Sequence, residues 1–153
     1  MDGNPKDRIG STKLPLHLFP AAAIAAGSVG MLNGALKYGR ANFRAESVRV
    51  SIYVDAAQRH LQAWFEGESN DPDDGVPHLA AVLANIAILV DASAQGTLID
   101  DRNFGNPAAH RGYVGGLASH VARLTDLHEA RHPTHYSRNA VAPAVSPELA
   151  DLV

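Results

Sequence analysis

Between Tyr53 and Asp91 the chain gathers carboxylates, two imidazoles and a guanidinium around one turn-rich segment. Glu66, Glu68, Asp71, Asp73 and Asp74 fall inside Glu66 to Gly75, interleaved with Gly, Ser, Asn and Pro. Carboxylates crowded this closely repel one another, and a shared cation relieves the repulsion. For the charge run alone, a solvated acidic turn is the competing reading. Its neighbours strengthen the case for a cation. Asp55 and Arg59 stand four apart on a helical period, His60 follows, and His78 begins the segment after the loop. Helical spacing sets Asp55 beside Arg59, and a short loop folds His78 back towards the end of the preceding helix. Carboxylate, imidazole and guanidinium brought together suit phosphate chemistry. They offer hard oxygens for magnesium or manganese and an arginine for phosphate oxygens. Taken singly, His60 or His78 would be read as a packed or capping residue. Asn85, in an otherwise apolar stretch, needs a partner if buried, either a backbone group or a ligand.

A second group is Lys37-Tyr38-Gly39-Arg40-Ala41-Asn42-Phe43-Arg44, with three cations, two aromatics and an amide after a helix end. Such a loop can grip a phosphate and stack a base; the alternative is a helix C-terminus whose lysine answers the dipole. A third is His128-Glu129-Ala130-Arg131-His132, a literal H-E-x-x-H, the pattern by which two histidines on one helical face bind zinc beside a glutamate. Pro133 follows at once and puts the second histidine at a helix end, where the motif needs helix interior. A small zinc protease is therefore the weakest of the three readings.

The elements that must position these groups are helical. Ala21 to Lys37 is alanine-rich after Pro20, with Gly39 as a stop and Gly27, Gly30 and Gly34 able to admit a close neighbour. Ser47 to Phe65 carries an apolar face through Tyr53, Ala56, Ala57, His60, Leu61, Trp64 and Phe65. His78 to Ala92, opened by Pro77, is apolar almost all round and belongs at the centre. Tyr113 to Ala130 places Val114, Leu117, Val121, Leu124 and Leu127 on one stripe, after a polar loop from Gln95 to Ala109. The expectation is an all-α protein, a small bundle of about four main helices over residues 13–132. A flexible arm precedes it at 1–12, and an extended tail with Pro143 and Pro147 follows at 133–153. No strand of convincing length is expected.

Composition narrows the function. Apolar residues are 46% and charged residues 19%, ordinary for a globular protein. A formal charge of −3 and a pI near 6.2 supply no uniformly basic surface for a nucleic-acid polymer, although a single nucleotide is compatible. Without cysteine, any metal must rest on carboxylate, imidazole or carbonyl groups, and a reducing, cytoplasmic setting fits best. The run Leu14 to Leu32 is broken by Pro15, His17, Pro20 and Ser28 and is too short for a membrane span, so it is expected to be buried structure.

Several fragments together resemble a known family. They are Lys13-Leu14-Pro15-Leu16 with Pro20, Gly34-Ala35-Leu36-Lys37-Tyr38-Gly39, Asn42-Phe43-Arg44, Tyr53, Asp55-Ala56-Ala57, Arg59-His60-Leu61, Gly67-Glu68, Asp71, His78 and Asp100-Asp101-Arg102. In order and spacing they resemble the phage-type dATP/dGTP diphosphohydrolase N-terminal domain, from Lys13 to Arg102. The resemblance implies an all-α domain similar to the MazG-like and MazZ-like nucleotide pyrophosphohydrolases. Such a domain would remove pyrophosphate from purine deoxynucleoside triphosphates with magnesium, manganese or cobalt. A phage origin would put it in the host cytoplasm. MazG-like enzymes bind metal through E-x-x-E and E-x-x-D pairs on two helices, and no such pair stands at the matching places. Either a histidine-containing ligand set replaces those carboxylates, or the chain no longer catalyses.

On this reading Asp55, Glu68, Asp71 and His78 hold the metal. Asp55 and His60 are the catalytic candidates, His60 orienting a ligand or the attacking water. Lys37, Tyr38, Asn42, Arg44, Arg59, Asp101 and Arg102 meet the nucleotide. Helices this apolar are expected to complete their core in a homo-oligomer, a dimer or tetramer, with neither membrane nor nucleic-acid polymer as partner. The alternative from another class is a non-enzymatic helical nucleotide-binding or assembly protein, in which the same polar groups cap helices.

Overall fold

The computed structural model describes residues 4–10 and 12–137. The chain forms two compact units, Met1–Arg102 and Asn103–Val153. In the first, α1 (Pro5–Gly10) and a 3-10 turn (Leu16–Leu18) lead into α2 (Ala21–Tyr38) and the short α3 (Asn42–Ala45). Then come β1 (Val48–Arg49), α4 (Val50–Phe65), α5 (His78–Gln95) and β2 (Leu98–Ile99). The all-α expectation holds, with α5 packed against both α2 and α4. By length and a hydropathy of 1.4 alone α5 would pass as a membrane span, but it lies against a helix on each of two sides. The prolines act as expected. Pro20 and Pro77 are the extended residues ahead of α2 and α5, and their carbonyls accept the first backbone N–H groups of those helices. Gly39 ends α2 at φ 92°, and its N–H closes on the Ala35 carbonyl.

Small residues set the contact between α2 and α5. Ala80 and Ala84 are buried against Gly30, the buried residue of α2. A Cβ built on Gly30 would stand 2.4 Å from the Ala80 carbonyl oxygen and 2.9 Å from the Ala84 Cβ. Only hydrogen fits there, so the backbones meet directly. Gly27 would meet Leu83 at an ordinary 3.5 Å, and Gly34 faces open space, so the expected glycine side reduces to one position.

Three expectations need correction. The helix read from Ser47 starts at Val50, because Val48 and Arg49 are extended and pair in parallel with Leu98 and Ile99. Val48 is 1% exposed, and burying this β-branched side chain fixes the extended entry to α4. The helix then begins under a remote cap: the Asp101 carboxylate accepts the Ser51 N–H at 2.9 Å and its hydroxyl at 2.6 Å. Secondly, the N-terminal arm contains α1. Thirdly, Leu14 to Leu32 is not buried in one copy. Leu14, Leu16 and Leu18 ahead of α2 are exposed, and so are Ile24, Val29 and Leu32, because α2 turns its Gly30 side to α5.

In the second unit the single helix expected over Tyr113 to Ala130 is two, α6 (Pro107–Gly116) and α7 (Ala118–His128), followed by a 3-10 turn (Glu129–Arg131). The Asn106 side chain caps α6, accepting the N–H groups of Ala108 and Ala109, so that helix starts inside the expected polar loop. The pair Gly115-Gly116, poor in helix propensity, marks its end. Pro143 and Pro147 of the expected tail lie outside the described residues.

The Gly30 contact yields a direct test. Gly30→Ala should destabilise the protein by about 1–3 kcal/mol, the usual cost of forcing a methyl group into a filled contact. The gain in helix propensity offsets only part of this. Gly34→Ala, facing open space, should be neutral or stabilising. Urea unfolding of the two variants measures both.

Candidate metal and nucleotide site

The acidic loop is folded by its own polar groups. Gly67 (φ 108°) and Gly75 (φ 73°) take the left-handed turns that admit glycine without strain. The Asp71 N–H donates to the Val76 carbonyl, the Gly75 N–H to Asp71, and the His78 N–H to Ser69, so the two sides of the loop close on each other. Each of two aspartates then uses one oxygen on the loop and turns the other outward. Asp71 Oδ1 accepts the Asp73 N–H, while its Oδ2 lies 3.9 Å from His60 Nδ1. Asp74 Oδ1 accepts the Val76 N–H, while its Oδ2 accepts Lys37 Nζ at 2.7 Å and Asn33 Nδ2 at 2.8 Å.

The two histidines meet beneath this loop. His60 comes from α4 and His78 from the first residue of α5, with Nδ1 facing Nδ1 at 2.9 Å. His78 is 3% exposed, and its Nε2 lies 3.0 Å from Glu68 Oε2. An ionised carboxylate only accepts, so Nε2 of His78 carries the hydrogen and a neutral ring leaves its Nδ1 bare. The hydrogen shared between the rings then belongs to His60. Ligand atoms of His60, Asp71 and His78 all lie within 4.8 Å of one another. Two imidazoles and a carboxylate are donors that a divalent ion accepts, so these residues fit the metal expected from the sequence.

His60 also lines a cleft of about 830 Å³ formed by α2, the turn after it with the start of α3, where a loop was expected, and parts of α4 and α5. Lys37, Tyr38, Asn42 and Arg44 line it too, as do Phe43 and Tyr53. Arg44 is clamped by Asp91 through two hydrogen bonds of 2.8 and 2.6 Å, which holds its guanidinium above the ordinary range. Burial, with Tyr38 nearby, raises the Tyr53 phenol. Ala41 adopts a left-handed φ of 59°, unusual for a residue with a Cβ, where the loop turns along the cleft. Asn85 donates to the Ala81 carbonyl one turn back, the backbone partner its burial required, and it too lines the cleft.

The predicted residues therefore divide. His60, Glu68, Asp71 and His78 come together, and Lys37, Tyr38, Asn42 and Arg44 share the cleft that His60 lines. Asp55 and Arg59 are exposed on α4, and their side chains make no hydrogen bond or ion pair among the described residues. Five residues along a helix turn Asp55 about 140° away from His60. Asp101 is engaged by Ser51 and Arg49 and so serves the start of α4, whereas Arg102 is held by Asp100 at 2.7 and 2.6 Å within the segment that follows β2. Sequence reasoning assigned no role to Asn33 or Asp91 and counted Asp74 only among the loop's clustered carboxylates; the partners of all three are far along the chain. The H-E-x-x-H reading meets a broken helix. α7 stops at His128, Glu129–Arg131 is a 3-10 turn and His132 is left-handed at φ 41°, so the two histidines do not share a helical face.

A family model described as dATP/dGTP diphosphohydrolase, N-terminal, matches residues 3–102. The match ends where the first compact unit ends. Comparison with curated proteins and with solved structures gave no match.

The ion pair joining loop and α2 has a pH signature. Hydrogen bonds to the Asp74 carboxylate, from Lys37 first and then from Val76 and Asn33, hold its carboxyl at about 2 instead of 3.8. A depressed folded value stabilises above the ordinary value and is lost as pH falls through the folded one. Asp74→Asn should therefore melt below the native protein near neutral pH. The gap should close between 3.8 and about 2, which thermal melts across that window measure.

Proposed function

The chain belongs to the dATP/dGTP diphosphohydrolase N-terminal family, and from that premise we propose a metal-dependent hydrolase acting on purine deoxynucleoside triphosphates. Water would hydrolyse the anhydride linkage between the α- and β-phosphates of dATP or dGTP, a P–O bond to the bridging oxygen breaking as one to water forms, releasing the monophosphate and pyrophosphate. The observation that carries the reading is the His60, Asp71 and His78 cluster, with His60 on the wall of a cleft that also presents Lys37, Arg44 and aromatic rings. When bound, a divalent cation supplies polarisation of the phosphoryl group and balances charge on the leaving pyrophosphate.

The chain's own groups supply the rest. Lys37 and Arg44 offer charge-assisted hydrogen bonds to phosphate oxygens, and each is already oriented by an aspartate. Tyr38 and Phe43 offer faces on which a purine stacks. The remaining ring nitrogen of His60 is left for the phosphate or the attacking water. Asp55, Arg59, Asp101 and Arg102 neither line this cleft nor belong to the ligand cluster.

The active species is proposed to be a homo-oligomer. Ala22, Ala25, Val29, Leu32 and Leu36 follow one another along α2 in alternating three- and four-residue steps, and all five are exposed. That is the spacing of a helix-pairing seam. The same stripe favours the second reading, a non-enzymatic assembly protein, which activity alone separates from the first.

A screen of ribo- and deoxyribonucleoside triphosphates with magnesium, manganese and cobalt should give monophosphate and pyrophosphate from dATP or dGTP. Release of orthophosphate instead, or no product and no nucleotide-dependent rise in melting temperature, contradicts the proposal.

A further inference from the structure

Resting on the reading of this cluster as a divalent-metal centre, we infer that it is built for a transition-metal ion of the manganese, cobalt or zinc class instead of magnesium. Once the ring hydrogen of His60 passes from Nδ1 to Nε2, His60 Nδ1, His78 Nδ1 and Asp71 Oδ2 are its ligands, and Glu68 is a positioning carboxylate outside the coordination sphere.

The donor set decides the class of ion. Magnesium takes oxygen ligands in a tight octahedron and keeps several waters, whereas imidazole suits zinc, cobalt and their neighbours. Two of the three donors here are imidazole nitrogens, one from a ring almost wholly buried. Donors bound at roughly 2.0–2.2 Å to one ion lie no more than about 4.4 Å apart. The observed separations of 2.9 Å between the two Nδ1 atoms and 3.9 Å from His60 Nδ1 to Asp71 Oδ2 fall inside that limit. Three protein ligands with room for substrate or water is also the pattern of catalytic, as opposed to purely structural, sites.

The surroundings hold each donor in place. Glu68 takes the Nε2 hydrogen of His78, which keeps that ring's Nδ1 bare and aimed at His60. A ligating histidine commonly donates its second nitrogen to such a carboxylate. Asp71 gives Oδ1 to the Asp73 N–H and so presents Oδ2 alone. The backbone of His78 is anchored on Ser69. With its Oε2 engaged by His78 Nε2, Glu68 is better placed to orient a ligand than to be one.

The test uses the full chain after chelator treatment, titrated with cobalt(II) alone and without nucleotide. Visible absorption bands of nitrogen-coordinated cobalt and a rise in melting temperature should saturate at a defined stoichiometry, and magnesium at the same concentration should give no comparable rise. His60→Gln and Asp71→Asn should lose the bands, while Glu68→Gln should keep them with affinity weakened about ten- to a hundredfold. Metal-free circular dichroism shows that each variant is folded, and the partly exposed His60 serves if the buried His78 does not tolerate change. Bands that persist in His60→Gln, stabilisation by magnesium equal to that by cobalt, or complete loss in Glu68→Gln overturns the inference. Cobalt bands without triphosphate hydrolysis would sink the hydrolase reading and keep this site; magnesium-supported hydrolysis without cobalt bands would do the reverse.

Discussion

One imidazole ties the first unit together. His78 opens α5, and it is held from three directions: its N–H by Ser69 across the loop, its Nε2 by Glu68 and its Nδ1 by His60 on α4. A polar ring this deeply buried is costly unless each nitrogen has a partner. Satisfying both nitrogens fixes where α4 ends relative to where α5 begins. The fold and the candidate site thus share one set of bonds, and the loop has little freedom to adopt another course.

The acidic loop resolves its own repulsion by sending its carboxylates to different partners. Glu68 goes to His78, Asp71 towards His60, and Asp74 to Lys37 and Asn33 of α2. The loop therefore joins all three long helices, and Asp74 sets Lys37 on the side of the cleft. At the other end of that cleft loop, Asp91 of α5 does the same for Arg44. Cations that would bind phosphate are thereby aligned beforehand, which lowers the entropy lost when an anion arrives.

Much of this was legible in the sequence, for reasons that differ by element. The periodicities of α2, α4 and α5 and the stop at Gly39 are local, so they read directly. The pairing of Val48 and Arg49 with Leu98 and Ile99 was not, because two-residue strands carry no period. The cap that Asp101 supplies to Ser51 likewise lies fifty residues from the helix it serves. A short loop between His60 and His78 made their meeting foreseeable. Asp55 was drawn in by its spacing from Arg59, which is a true helical neighbour relation, but on a face turned away from His60. The partners of Lys37 and Arg44 were invisible for the same reason as the strands: nothing local marks Asp74 or Asp91 as theirs.

The central claim is that the histidine pair and Asp71 form the metal end of a nucleotide cleft. A crystal structure grown with manganese and a non-hydrolysable dGTP analogue, with anomalous scattering recorded at the manganese edge, tests it most directly. The account predicts an anomalous peak bounded by His60, His78 and Asp71, phosphates between that peak and Lys37 or Arg44, and the base against Tyr38 or Phe43. A peak on exposed carboxylates away from the histidines, or nucleotide bound outside the cleft, would contradict it.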